Sequence, residues 1–126
     1  MKLFKNLSRS VKGKVAIITG AGSGMGEATA KVFAEEGVKV VATDVNLNEV
    51  KRVSDEINSN GGICHALHLD VTDKTEIEDC LKETIKKFGS LDFVINNAGI
   101  SLVTIDGSQD GEALENTLSI KYNAPR

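Results

Sequence analysis

The sequence predicts an α/β fold with three layers, a parallel sheet covered by helices on both faces, and three observations predict it. Short β-branched apolar runs alternate with helical apolar stripes in the order strand, helix, strand, helix, strand, helix, strand. Each helical stripe stops at a glycine, and the connections are short. Four glycines crowd between Gly20 and Gly26, where the first strand gives way to the first helix.

The first strand is Lys14 to Thr19, an apolar run of the kind buried on both faces. Met25, Ala28, Thr29, Val32 and Phe33 then recur at helical spacing, so the first helix is expected from about Gly24 to Glu36, with Gly37 as its stop. Val38 to Asp44 reads as the second strand. Asn46 to Glu49 has the form of a capping box, opening a helix that turns Leu47, Val50, Val53 and Ile57 inward and stops at Gly61-Gly62. GICHALHLD gives the third strand. Asp73 to Glu76 repeats the capping-box form, and Ile77, Cys80, Leu81, Ile85 and Phe88 make the stripe of a third helix ending at Gly89. LDFVINNAG supplies the fourth strand and its terminal loop. Residues 100–110 read as loop, and GEALENTLSIKY as the start of a further helix.

Composition sets the class. Hydrophobic residues at 40%, charged residues at 26% and a single proline describe a globular chain long enough for one domain. Lys2, Lys5, Arg9, Lys12 and Lys14 open the chain with no acid among them, so residues 1–12 are expected as a solvated basic arm ahead of a domain over 13–126. The net charge of -3 argues against nucleic acid as a partner, and no run approaches the roughly 20 apolar residues of a membrane span. Cys64, Cys80, His65 and His68 lack metal-ligand spacing, so no metal is expected. Two free thiols fit a reducing cytoplasm.

In a doubly wound sheet a ligand can enter the crevice where strand order reverses, beside the first strand-to-helix turn. Glycines there allow a tight turn, let backbone approach a pyrophosphate, and let helix and strand pack closely. The helix N-terminus meanwhile points its N–H groups at the anion. Glycines also serve plain positive-φ turns, but this loop lies between a strand and a helix, and Asp44 ends the second strand 18 residues past Gly26. An acid at that place accepts the ribose hydroxyls of an adenosine and repels a 2′-phosphate, so NAD is favoured over NADP. A solvated strand-end acid is the alternative role for Asp44.

Thr19-Gly20-Ala21-Gly22-Ser23-Gly24-Met25-Gly26 resembles the TGxxxGxG loop of the short-chain dehydrogenase/reductase family. Asp70-Val71 is similar to that family's adenine-contacting pair, and Asn96-Asn97-Ala98-Gly99 to its NNAG motif. The resemblance implies a Rossmann-type doubly wound parallel sheet. It also implies that the backbone from Gly20 to Gly26 cradles a pyrophosphate, with Gly20, Ser23, Gly24, Met25 and Gly26 as its contacts, and that Asp44 holds the adenosine ribose. Asp70 and Val71 would flank the adenine, and Asn97, Ala98 and Gly99 would lie along the cofactor.

Family members move a hydride between a nicotinamide and an alcohol or carbonyl, using a serine on the fifth strand and a Tyr-x-x-x-Lys on the next helix. Both would fall beyond Arg126. Tyr122 and Arg126 imitate the spacing, but Pro125 interrupts a helix between them and arginine exchanges no proton at neutral pH, so no catalytic residue is assigned. Counting from NNAG sets Lys121 where the family has its relay asparagine. A fold truncated after the fourth strand and following helix would leave that strand as an open apolar edge. The chain is thus expected to be the cofactor-binding portion of a longer NAD(P)-dependent oxidoreductase, inactive alone and homo-oligomeric when complete. The rivals are a non-catalytic dinucleotide-binding module acting through a partner chain, and a methyltransferase.

Overall fold

The computed structural model describes residues 11–97 and the backbone of residues 101–104. Ala98, Gly99, Lys121, Tyr122, most of the basic arm and the helix expected within GEALENTLSIKY lie outside the described residues.

The chain runs β1 (Val15–Ile18), α1 (Gly24–Glu35), β2 (Lys39–Asp44), α2 (Leu47–Ser59), β3 (Ile63–His68), α3 (Lys74–Phe88), β4 (Phe93–Asn96) and β5 (Ser101–Thr104). The sheet order is β3-β2-β1-β4-β5. β1 pairs in parallel with β2 and β4, and β2 with β3. Strand order therefore reverses at β1, whose neighbours come from both directions along the chain.

Alternation along β1 divides the core. Ala16 and Ile18 face α1 and α2, where Ala30, Ala34, Val50, Val53 and Ile57 complete one cluster. Val15 and Ile17 face the other way, toward Ile77, Cys80 and Leu81 of α3. Helices thus cover both faces, which is the three-layer, Rossmann-type arrangement expected. A fully buried side chain of valine or isoleucine size contributes about 2 kcal/mol, so β1, buried along its whole length, is the axis of the domain. Val11, placed by the sequence in the solvated arm, is instead buried in the first cluster.

Two expectations are corrected. Residues 100–110 were expected as loop and β4 as an open edge, but β5 lies antiparallel against β4, pairing Asn96 with Ser101 and Phe93 with Thr104. An antiparallel neighbour needs only a short reversal, whereas a parallel one needs a crossover helix, and the alternation of strand and helix gave no cue to the reversal. The two capping boxes are each half formed. Asn46 accepts from Glu49 N, and Asp73 from Thr75 N and Glu76 N. The returning arms go elsewhere, Glu49 to Arg52 and Glu76 to Asp70 N, because the N-cap N–H groups they would serve are already taken, Asn46 N by Asp44 Oδ1 and Asp73 N by Asp70 O.

Candidate functional site

The carboxyl ends of β1, β2 and β4 are stitched together at the glycine loop. Thr19 N donates to Ile95 O at 3.0 Å, and Ala21 N to Thr43 O at 2.9 Å. Thr19 Oγ1 donates to Asn96 Oδ1 at 3.1 Å and accepts from Asn97 N at 3.0 Å. Thr43 Oγ1 donates to Ile18 O at 3.0 Å. Both threonines are buried, so their hydroxyls replace water on strand ends that the sheet ladder no longer satisfies.

From this anchored base the loop climbs through Gly20 and Gly24, which have φ of +62° and +57°, into α1. A Cβ on Gly26 would overlap the Gly20 carbonyl oxygen and stand 2.7 Å from its carbon. Only glycine lets α1 sit this close over the loop. Ser23 is the N-cap of α1 in extended geometry, yet its side chain makes no capping bond, and Met25 in the first turn is 72% exposed. The first turn of α1 thus keeps its N–H groups and positive dipole end without a side-chain acceptor from its own cap.

Asp44, at the end of β2, faces this helix mouth. Its Oδ2 accepts from Gly22 N at 2.9 Å and its Oδ1 from Asn46 N at 3.0 Å, which fixes the carboxylate while each oxygen retains a second lone pair. A Cβ on Gly22 would stand 2.9 Å from Asp44 Oδ2 and 3.1 Å from Glu49 Cβ. The sequence includes Gly22 in the loop backbone from Gly20 to Gly26 but gives no cue to its bond with Asp44, which holds the acid against the loop.

Leu69 N donates to Asp44 O at 3.0 Å, so the segment after β3 joins the same end of the sheet. There Asp70 Oδ1 accepts from Thr72 Oγ1 at 2.7 Å and Thr72 N at 2.9 Å. These bonds, the hydroxyl's first, hold the Asp70 carboxyl below its ordinary range. Val71 is half-buried against the α3-side cluster. On the other flank, Asn97 lies over Gly20, its Nδ2 3.2 Å from where a Gly20 Cβ would be. Among the described residues, the structure therefore brings Gly20, Ser23, Gly24, Met25, Gly26, Asp44, Asp70, Val71 and Asn97 to one end of the sheet.

The sequence reading missed an ionic cluster behind the loop. Arg52 Nη2 donates to Gly22 O at 3.3 Å and to Glu27 Oε1 at 3.0 Å, and Arg52 also pairs with Glu49 and Glu56. Lys31 pairs with Glu27 and Glu56. Hydrogen bonds from Arg52 and then Lys31 hold the Glu27 carboxyl down at about 2. The separation of 25 residues between Glu27 and Arg52 left no local cue.

Two further features lie apart from the loop. A groove of about 650 Å³ lined by Lys31, Glu35, Glu56, Asn60 and Gly62 opens toward the amino ends of the strands. Cys64 and Cys80 are buried free thiols, and burial pushes the Cys80 thiol up to about 12.

Residues 14–125 match the short chain dehydrogenase family, and the chain belongs to that family as its N-terminal, nucleotide-binding Rossmann portion. It is 40% identical over 96 residues to cyclohexanol dehydrogenase of Acinetobacter sp. (strain SE19), covering 76% of this chain and 38% of that one. It superposes with a TM-score of 0.67 on a 7α-hydroxysteroid dehydrogenase solved with NADH and 7-oxo glycochenodeoxycholic acid, at 40% identity, covering 68% of this chain and 34% of that one. A short-chain dehydrogenase/reductase from Burkholderia phymatum in complex with NAD gives a TM-score of 0.64 at 32% identity, covering 66% and 30%. Among the curated relatives it matches, this chain spans 33% to 46% of their length. Among the described residues, no helix is long and apolar enough to cross a membrane.

Proposed function

We propose that this chain is the cofactor-binding portion of an NAD(H)-dependent oxidoreductase whose whole protein interconverts an alcohol and a carbonyl. The observation that carries the reading is the Asp44 carboxylate, fixed against Gly22 beside a helix mouth that the Ser23 side chain leaves uncapped. The glycine surface fits the group at Gly24, where an added Cβ would meet no atom within 4 Å, while Gly26 lets α1 pack directly on the loop beneath it.

In this reading the pyrophosphate lies against the backbone from Gly20 to Gly26, where Ala21 N and Gly22 N are held by Thr43 O and Asp44 and the first turn of α1 supplies its N–H groups and dipole, with Ser23, Gly24 and Met25 forming the rim. The second lone pairs of Asp44 accept the adenosine ribose hydroxyls, and the charge of the carboxylate disfavours a 2′-phosphate. Asp70 and Val71 flank the adenine, while Asn97, Ala98 and Gly99 border the nicotinamide side. The bound dinucleotide supplies hydride transfer. The chain's own part is to bind and orient it.

Two named neighbours support the class of chemistry: one is a cyclohexanol dehydrogenase and the other was solved with NADH and a 7-oxo steroid conjugate. Because the sequence has no tryptophan, NADH fluorescence reports binding without interference. A saturable rise in NADH emission on adding the chain, undiminished by excess S-adenosylmethionine, is expected. A flat titration, or displacement by S-adenosylmethionine, contradicts the reading.

A further inference from the structure

Glu27 stands in the first turn of α1, where its charge suits the helix dipole but opposes an incoming anion. Arg52 reaches from α2 to this carboxylate at 3.0 and 3.3 Å, and with the same Nη2 to the carbonyl of Gly22 at 3.3 Å. The peptide groups flanking Gly22 are therefore held from both sides, the N–H by Asp44 and the C=O by Arg52. Glu49 and Glu56 fix the guanidinium at 3.2 and 2.7 Å. Only a guanidinium has donors enough to serve three carboxylates and a carbonyl together.

We propose that Arg52 is a positioning residue of the dinucleotide site, neutralising Glu27 at the mouth of α1 and tethering the Gly22 carbonyl so that the loop accepts a pyrophosphate. The inference rests on the dinucleotide reading above and extends it to a residue outside the glycine motif. Without Arg52, Lys31 alone remains on Glu27, and the carboxylate repels the phosphates.

The test is NADH titration of the wild-type chain, R52Q, R52K and the double variant E27Q/R52Q, with melting curves confirming that each is folded. R52Q is expected to weaken NADH binding about threefold, the scale of one charge at a helix end. That deficit shrinks at 1 M salt, where screening acts within about 3 Å. E27Q/R52Q is expected to bind at least twice as tightly as R52Q, because the repelling charge is gone. R52K keeps the cation but not the fork that reaches both Glu27 and the Gly22 carbonyl, so its affinity is expected to fall between those of wild type and R52Q.

Equal binding by R52Q and wild type overturns the proposal, as does a double variant no tighter than R52Q, since the loss would then be structural. A loss in R52K as large as that in R52Q does the same. A wild-type chain that leaves NADH unbound overturns the dinucleotide reading itself, so the two failures are distinguishable.

Discussion

Among the described residues, three helices begin in two different ways. α2 and α3 satisfy their first N–H groups from within, through Asn46 and through Asp73. α1 does not, because Ser23 makes no capping bond, and its start is held from outside by glycine contacts, by Asp44 and by Arg52. A self-capped helix is finished as a structural element. An uncapped one, pressed onto a glycine loop at the point where strand order reverses, keeps its donors for a ligand.

The most disruptive way to break this comparison is Gly26→Ala, which drives a Cβ into the Gly20 carbonyl. Overpacking against backbone is expected to cost about 3 kcal/mol. Thermal denaturation should show Tm falling by more than about 10 °C. Asp44→Ala comes next. Losing a charged acceptor is expected to weaken NADH binding about tenfold, read by fluorescence titration.

Two cap variants sharpen the contrast. Asp73→Ala should cost about 1 kcal/mol in urea unfolding and leave the NADH dissociation constant unchanged. Ser23→Ala should stay within about 0.5 kcal/mol of wild type, because no capping bond is lost. A full capping cost at Ser23 would erase the difference between α1 and the other helices.

The smallest effect is one of pH. Glu27 is depressed from an ordinary 4.5 to about 2, so its ion pairs contribute stability fully above pH 4.5 and lose it as pH falls toward 2. The pairs are partly exposed and screened, which keeps the effect small. Chemical denaturation between pH 5 and 2 should show a shallower loss for Glu27→Gln than for wild type.

Much of the fold was legible because its signals are local. The apolar runs of β1 to β4, the stripes of α1 to α3 and the glycine stops lie within single segments, and observed boundaries fall within one or two residues of those read. The glycine loop and Asp44 were legible for the same reason, each adjoining a strand end. What escaped the sequence spans distance. Thr19 meets Asn96 across 77 residues, Gly22 is braced by Arg52 across 30, and Glu27 meets Arg52 across 25. β5 escaped because a four-residue strand beside a reversal carries too little periodicity to outweigh a loop reading.

The central claim is that Asp44 and the glycine loop form one NAD(H) site. Parallel equilibrium titrations with NADH and NADPH test it most directly. The account predicts that NADH binds at least about tenfold more tightly than NADPH, since a 2′-phosphate would meet a fixed carboxylate, and that Asp44→Ala narrows the gap. Equal affinity for the two cofactors in the wild-type chain, or a gap untouched by the substitution, would contradict it.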